Sequence, residues 1–534
     1  MFNNIANLFV KSKKYWIIYL IFITITLAST LSAKNFDKPQ IVIASFVIVA
    51  ILGVVCILYY FMHDSDRELY KVAFVIILCF GLISSVIVPI ADVSDELEHL
   101  TRAEITSRGI IFPHWEDGPN NLTQLYNRTT DGKYSRELNT DVGFNTTQSH
   151  MFFLNNMGRT VFETPHDTQE ISNKTILDGS AFEQNPFYGY LPQALGVLIA
   201  KLFDLNVIWM LWLGRMCNLI LYAFLISMAI RIAPALKVPL LAVACIPISI
   251  YQAASLSIDS MILGLGILSI AYFIYLYKSE PGSLEVKHVI LFCVLSLLLG
   301  LCKLPYLAFV FLILFVPKEN FRDSGILKYM LLGVFIVGLI GVIWSTYSEP
   351  ALMHSWRSKL NYMNPELQME YIMNHPAFML TFFRSIFTYT VGITLNGVFN
   401  FFAAASPHHY SDPYIFITVL IWIFLLLTLI LYPRKVEFNL KSRLGVLAVL
   451  LIIYIGTCFI QLLTWADVGQ TNLGISTRYF IPLFALIPII AGFKIERLEK
   501  HAHKLDWFTD RYAMIFIIGF MATLILAFAT KYYY

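Results

Sequence analysis

Residues Ser94 to Trp115 read SDELEHLTRAEITSRGIIFPHW, and they divide an apolar run from the longest polar region of the chain. Asp95 and Glu96 are adjacent carboxylates, followed by Glu98, His99 and Arg102. At about 3.6 residues per turn, Asp95, Glu98 or His99, and Arg102 fall on one helical face, so a carboxylate, an imidazole and a guanidinium point at one volume. That grouping suits acid-base chemistry. It equally suits a solvated amphipathic helix laced by internal ion pairs.

The surrounding composition favours a membrane context. The chain has 534 residues, of which 57% are hydrophobic and 14% charged, with a mean hydropathy of +0.67. Such a chain is too apolar for a soluble protein and holds many runs long enough to cross a bilayer. The formal net charge of +3 is spread over many loops and points to no nucleic-acid partner. All 7 cysteines lie in or beside apolar runs, so neither a disulfide framework nor a zinc-type spacing is on offer. Lys11, Lys13 and Lys14 precede the apolar run Tyr15 to Leu31, which is long for the core of a signal peptide and reads as a retained anchor.

Hydropathy predicts an all-α integral membrane protein with about thirteen spans, near 15–33, 41–62, 72–90, 207–230, 238–254, 259–277, 288–302, 304–317, 327–345, 414–432, 444–464, 479–493 and 513–530. Residues 1–71 form an N-terminal hairpin, 72–493 the membrane core, and 494–534 an inner loop and last span. Two long loops interrupt the core. The first, 91–206, carries turn clusters of a small folded domain and ends in the short apolar piece Phe187 to Phe203, expected to lie along the surface. The second, 346–413, mixes charges with aromatic residues and reads as interfacial helices. With a cytoplasmic N-terminus, the inner loops gather most of the 38 Lys and Arg residues, which places both long loops and the C-terminus outside.

Arg215, Asp259, Lys303 and Arg478 then fall at the outer ends of spans, on the side of Asp95. A charge there is costly unless it is paired, hydrated or used. Snorkelling anchors explain such residues one at a time. His408, His409 and Asp412 offer a metal set, against the plainer reading of a polar turn before a span.

Several motifs now combine. An acidic D-E-x-x-H-x-x-R-A segment (Asp95, Glu96, His99, Arg102, Ala103) is followed by YLPQALG at Tyr190 to Gly196 and by Gly214-Arg215. QAASLSIDS at Gln252 to Ser260, CKLPY at Cys302 to Tyr306 and GISTRYFIP at Gly474 to Pro482 complete the set. Over about 72–493 this ordered set resembles an uncharacterised bacterial family of polytopic membrane proteins, a domain-of-unknown-function family. That family looks related to the C-type superfamily of membrane glycosyltransferases. The resemblance implies a plasma-membrane enzyme with a core of about eleven helices behind an added hairpin. Such an enzyme moves a sugar from a polyprenyl-phosphate carrier to a cell-envelope glycan on the outer face.

By that resemblance Asp95 is the general base, with Glu96 as the nearest substitute, and Arg478, Lys303, Arg215 and Arg384 are candidates for the carrier phosphate. Glu98, His99, Arg102, Tyr190, Gln193, Gln252, Asp259, Tyr306 and Tyr479 support them. No cofactor is required, although Asp95 and Glu96 would suit a divalent cation. A lipid-linked glycan transporter and a non-catalytic envelope scaffold are the rival classes.

The charge split yields a direct test of orientation. A Thr130→Cys protein should react with an impermeant thiol reagent on intact cells, and a Ser65→Cys protein should not. The opposite pattern inverts the orientation.

Overall fold

The computed structural model describes residues 2–31, 39–63, 65–113, 116–117, 125–128, 134–137, 142–164, 169–178, 182, 185–353, 364–398, 415–432, 437–491 and 508–533. Among these residues, 8 helices are long and apolar enough to cross a membrane: Pro39–Met62, Leu69–Ile87, Ile208–Ile232, Asp259–Lys278, Ile326–Ser348, Phe378–Leu395, Leu440–Thr464 and Asp510–Tyr532. The chain is an α-helical membrane protein.

The other expected spans take shorter forms, and proline explains most of them. The stretch 238–254 is two helices, Lys237–Cys245 and Pro247–Ala253, because Pro247 cannot donate to the turn before it. After Lys303, Pro305 opens a 3-10 helix, Leu304–Phe315. Its 12 residues, at about 2.0 Å each, still reach about 24 Å. Pro482 and Pro488 split the last stretch of the core into Ile481–Phe484 and Ile487–Ile490. Phe378–Leu395 differs from the expected interfacial helices in being long and apolar enough for a span. Its contacts nevertheless follow one loop: Ser385 Oγ donates to the Thr471 carbonyl, and Thr477 Oγ1 reaches the Ile393 and Thr394 carbonyls at 3.1 and 3.3 Å.

The polar region after Leu69–Ile87 holds a three-stranded antiparallel sheet of Glu116–Asp117, Val142–Thr147 and Thr175–Asp178, and a hairpin of Leu125–Arg128 with Tyr134–Glu137. Leu191–Leu202 is a helix of 12 residues, too short to span. It lies against Ile208–Ile232 so closely that a Cβ on Gly196 would meet the Leu213 backbone at 2.3 Å.

The flanking elements join each other. Tyr19 Oη donates to the Val49 carbonyl at 2.6 Å, closing Lys13–Thr30 onto Pro39–Met62. Phe22 meets Phe516 and Phe520 of the last helix edge-on, with ring centroids 5.7 and 5.5 Å apart.

The two ends of the bundle differ in charge. At one end Lys237 pairs with Asp66 at 3.1 Å, Arg231 lies over the Tyr70 ring, and Lys278 donates to the Glu437 carbonyl. The other end is organised by Arg215. Its Nε donates to Glu96 Oε1 at 2.8 Å and its Nη2 to Glu96 Oε2 at 2.6 Å. Nη1 donates to the Ser85 and Val88 carbonyls, and Nη2 also to Pro89. All five N–H groups of a guanidinium are thereby used. Both side chains are 0% exposed.

Breaking one half of a buried, hydrogen-bonded ion pair costs about 3–5 kcal/mol, because the other charge is left unpaired. Arg215→Met and Glu96→Leu are each expected to lower the thermal midpoint of the detergent-solubilised protein sharply, and the double variant to regain much of the loss. A double variant no better than the worse single would refute the pairing argument.

Candidate functional site

The acidic stretch does form a helix, Glu96–Ser107, but not a solvated one: every residue from Glu96 to Thr106 is buried. Glu98 and Arg102 are therefore not an exposed surface pair. Arg102 turns toward the polar region, donating to Thr106 Oγ1 at 2.8 Å and to the Ile111 and Asn185 carbonyls.

Asp95 caps this helix with φ +63°, in the left-handed region that Asp tolerates better than most residues. An N-cap Asp ordinarily accepts from its own first turn. Here the side chain makes no such bond and instead meets Arg478, whose Nη2 donates to Asp95 Oδ2 at 2.6 Å. Arg478 Nη1 donates to the Ser94 carbonyl at 3.1 Å, and its Nε lies 3.4 Å from Asp259 Oδ2. Lys303 completes the group, with Nζ 3.3 Å from the centroid of the Tyr479 ring. Tyr306 Oη fixes that neighbourhood by donating to the Tyr479 carbonyl at 2.7 Å.

Four charged residues from four remote segments thus meet at one end of the bundle. Arg478 and Asp259 are buried, whereas the Asp95 side chain is 25% exposed beside the exposed Ser94. The carboxylate is reachable while its partner cation is held in the protein.

His99 lies one turn along from Asp95, and its Nδ1 is 2.7 Å from Tyr190 Oη. Tyr190 Oη also accepts from Asn185 Nδ2, and His99 Nε2 lies 3.3 Å from Ser257 Oγ, so both ring nitrogens have a hydroxyl partner. The imidazole ties the acidic helix to Leu191–Leu202 and to the loop before Asp259. Burial pushes it down to about 4, against the pull of Asp95 and Asp259 and with a further push from Arg478.

Other candidates have different places. Glu96 and Arg215, expected as the substitute base and a phosphate holder, lie bonded to each other: Arg215 spends its remaining N–H groups on the Ser85, Val88 and Pro89 carbonyls, and Glu96 Oε1 also accepts from the Leu256 N–H. Arg384 is exposed on Phe378–Ser385, and among the described residues no contact brings it to the cluster. Gln193 Nε2 donates to the Leu256 carbonyl at 3.3 Å, and the Gln252 carbonyl accepts from Ser255 Oγ, so both brace the loop leading to Asp259. Among the described residues no group of three or more His, Cys, Asp or Glu is placed to hold a metal. His408, His409 and Asp412 lie outside the described residues.

Sequence reasoning missed Asp92. This buried carboxylate accepts from Tyr251 Oη at 2.9 Å and from Tyr532 Oη of the last helix, while Tyr533 Oη donates to the Ile87 carbonyl. Burial pushes Asp92 up, opposed first by the Tyr532 hydroxyl. Nothing in its spacing distinguished it from an ordinary loop acid.

A bundle of apolar helices with a buried ionic cluster at one end defines a polytopic membrane protein. The chain belongs to the family described as predicted membrane protein (DUF2142), which it matches over residues 78–487. No curated protein and no solved structure matches it. The matched span lies inside the 72–493 stretch that carries the motifs and leaves the N-terminal hairpin and last helix as flanks.

His99 gives the fold an acid sensitivity. The imidazole is neutral when folded, but the unfolded chain takes up a proton near pH 6.5. Its contribution to stability is complete above that pH and falls as pH drops toward 4, by up to about 3 kcal/mol. The thermal midpoint of His99→Gln should therefore change less between pH 7 and pH 5 than that of the parent protein. Equal changes would mean that His99 is not the group responsible.

Proposed function

We propose that the protein is a membrane glycosyltransferase that moves a sugar from a polyprenyl-phosphate carrier to a cell-envelope glycan. The observation that carries this reading is the pairing of a part-exposed carboxylate, Asp95, with Arg478, next to Lys303 on the Tyr479 ring, at one end of the bundle. In this reading that end is a mouth facing the outer side of the plasma membrane and the basic end faces the cytoplasm, in keeping with the loop charges.

The chemistry asks for these two kinds of group. The acceptor hydroxyl gives its proton to the Asp95 carboxylate as its oxygen bonds to the anomeric carbon. The bond from that carbon to the carrier phosphate breaks, and its electron pair leaves on the phosphate oxygen. The growing negative charge falls to Arg478 and Lys303, already fixed in a largely buried setting where such charges act strongly. Arg478 can grip phosphate oxygens through a planar fork that an ammonium lacks. His99 and Tyr190 hold the helix that presents Asp95.

Loss of a general base costs on the order of 100-fold to 10,000-fold in rate. Asp95→Asn should therefore abolish transfer from a polyprenyl-phosphate sugar by purified, folded protein, and cells carrying it should lose the same envelope sugar as cells without the protein. Arg478→Lys should lose more activity than Lys303→Arg. Transfer by Asp95→Asn at close to the parental rate would remove Asp95 as the base and with it the enzymatic reading of this mouth.

A further inference from the structure

Arg478 is engaged before any substrate arrives. The group best placed to take a phosphate donates to Asp95 Oδ2 at 2.6 Å and to the Ser94 carbonyl at 3.1 Å. Its Nε faces Asp259 Oδ2 at 3.4 Å without forming an aligned hydrogen bond. Lys303, the other cation of the mouth, rests on the face of Tyr479. Arg215 has no N–H left to offer. A carboxylate with a guanidinium in hydrogen-bond reach is held in its charged form and is a weaker base for it. As it stands, the base is occupied by the cation meant for the leaving group.

Resting on the transferase reading, we propose that the lipid phosphate exchanges with Asp95 on Arg478, so that the base is released toward the acceptor only when the donor is seated. Three observations support the exchange. The first is charge: Arg478 already faces two carboxylates, Asp95 and Asp259, so a phosphate is a third anion on one guanidinium unless a carboxylate moves off it. The second is which carboxylate moves. Asp259 is 9% exposed and opens a helix whose first N–H is held by Ser257 Oγ, whereas Asp95 is 25% exposed and sits on a single-residue cap. The third is where it goes. The left-handed backbone at Asp95 holds its side chain off the first turn of Glu96–Ser107, with no capping bond to tie it there. Released from Arg478, the 25% exposed Asp95 carboxylate turns toward the open side of the cluster, beside the exposed Ser94. The exchange orders the reaction, with donor before deprotonation, and guards the activated base from water until there is a sugar to transfer.

The test is binding rather than turnover, read with farnesyl phosphate on the full chain in detergent. Removing the competing charge should tighten binding, so Asp95→Asn is expected to bind farnesyl phosphate about tenfold more tightly than the parent protein, in line with the worth of one hydrogen bond to a charged group. Asp259→Asn should gain less, and Arg478→Gln should lose binding. Farnesol should show no difference between parent and Asp95→Asn. An equal gain with inorganic phosphate would support the exchange but assign the anion to solution instead of to a lipid. Equal or weaker binding of farnesyl phosphate by Asp95→Asn overturns the exchange while leaving the transferase reading standing. Absence of farnesyl phosphate binding by every protein, parent included, overturns both. Should Asp95→Asn not fold, carbodiimide labelling of Asp95 in the parent, read by mass spectrometry, replaces it. Labelling that rises with farnesyl phosphate and not with farnesol supports the exchange, and labelling that is unchanged or falls refutes it.

Discussion

The pair of Arg215 and Glu96 fixes the place where the rest of the site is built. A guanidinium with all its N–H groups bonded ties the end of Leu69–Ile87, through the Ser85, Val88 and Pro89 carbonyls, to the first residue of the acidic helix. Each charge would be expensive to bury alone, and together they are affordable only in this geometry. The geometry therefore admits few alternatives. Asp95, the residue just before Glu96, inherits its position and its unusual backbone from that constraint, with Tyr251 and Tyr532 holding Asp92 three residues earlier. Positive φ at Ala91 and Asp95 marks the two ends of this clamped turn.

The site itself shows a division of labour between saturated and unsaturated charges. Arg215 has no capacity left and acts as structure. Arg478 faces two carboxylates, Asp95 and Asp259, with only part of its donor set used. Two arginines at one end of the bundle thus do opposite things, and the difference lies in how many of their N–H groups the fold satisfies. A neutral His99, held by Tyr190 and Ser257, links the acidic helix to the loop before Asp259 without adding charge to the mouth.

Elements outside the matched family region also reach this end. The last helix brings Tyr532 to Asp92 and Tyr533 to the Ile87 carbonyl, and it packs on the N-terminal hairpin through Phe22. The flanks therefore support the turn that carries Asp95. They do so through hydroxyls directed at backbone and carboxylate oxygens, which is how a buried polar turn is satisfied.

Local pattern was enough for what depends on local physics. Hydropathy runs defined the class and most long helices, because a bilayer demands about twenty apolar residues in a row. The 95–102 spacing foretold a helix in the acidic stretch. The prolines at 482 and 488, and the helix Phe378–Leu395, were read less well, since hydropathy averages over a window and does not see where a turn fails or what a helix lies against. Partner choice was beyond the sequence. Asp95 and Arg478 are separated by 383 positions, and Glu96 and Arg215 by 119. Nothing in either arginine's neighbourhood said which would be sealed and which would face an accessible acid. That was decided by which carbonyl oxygens and carboxylates the folded chain brought within 3 Å or so of each guanidinium, a property of tertiary packing that no local pattern encodes.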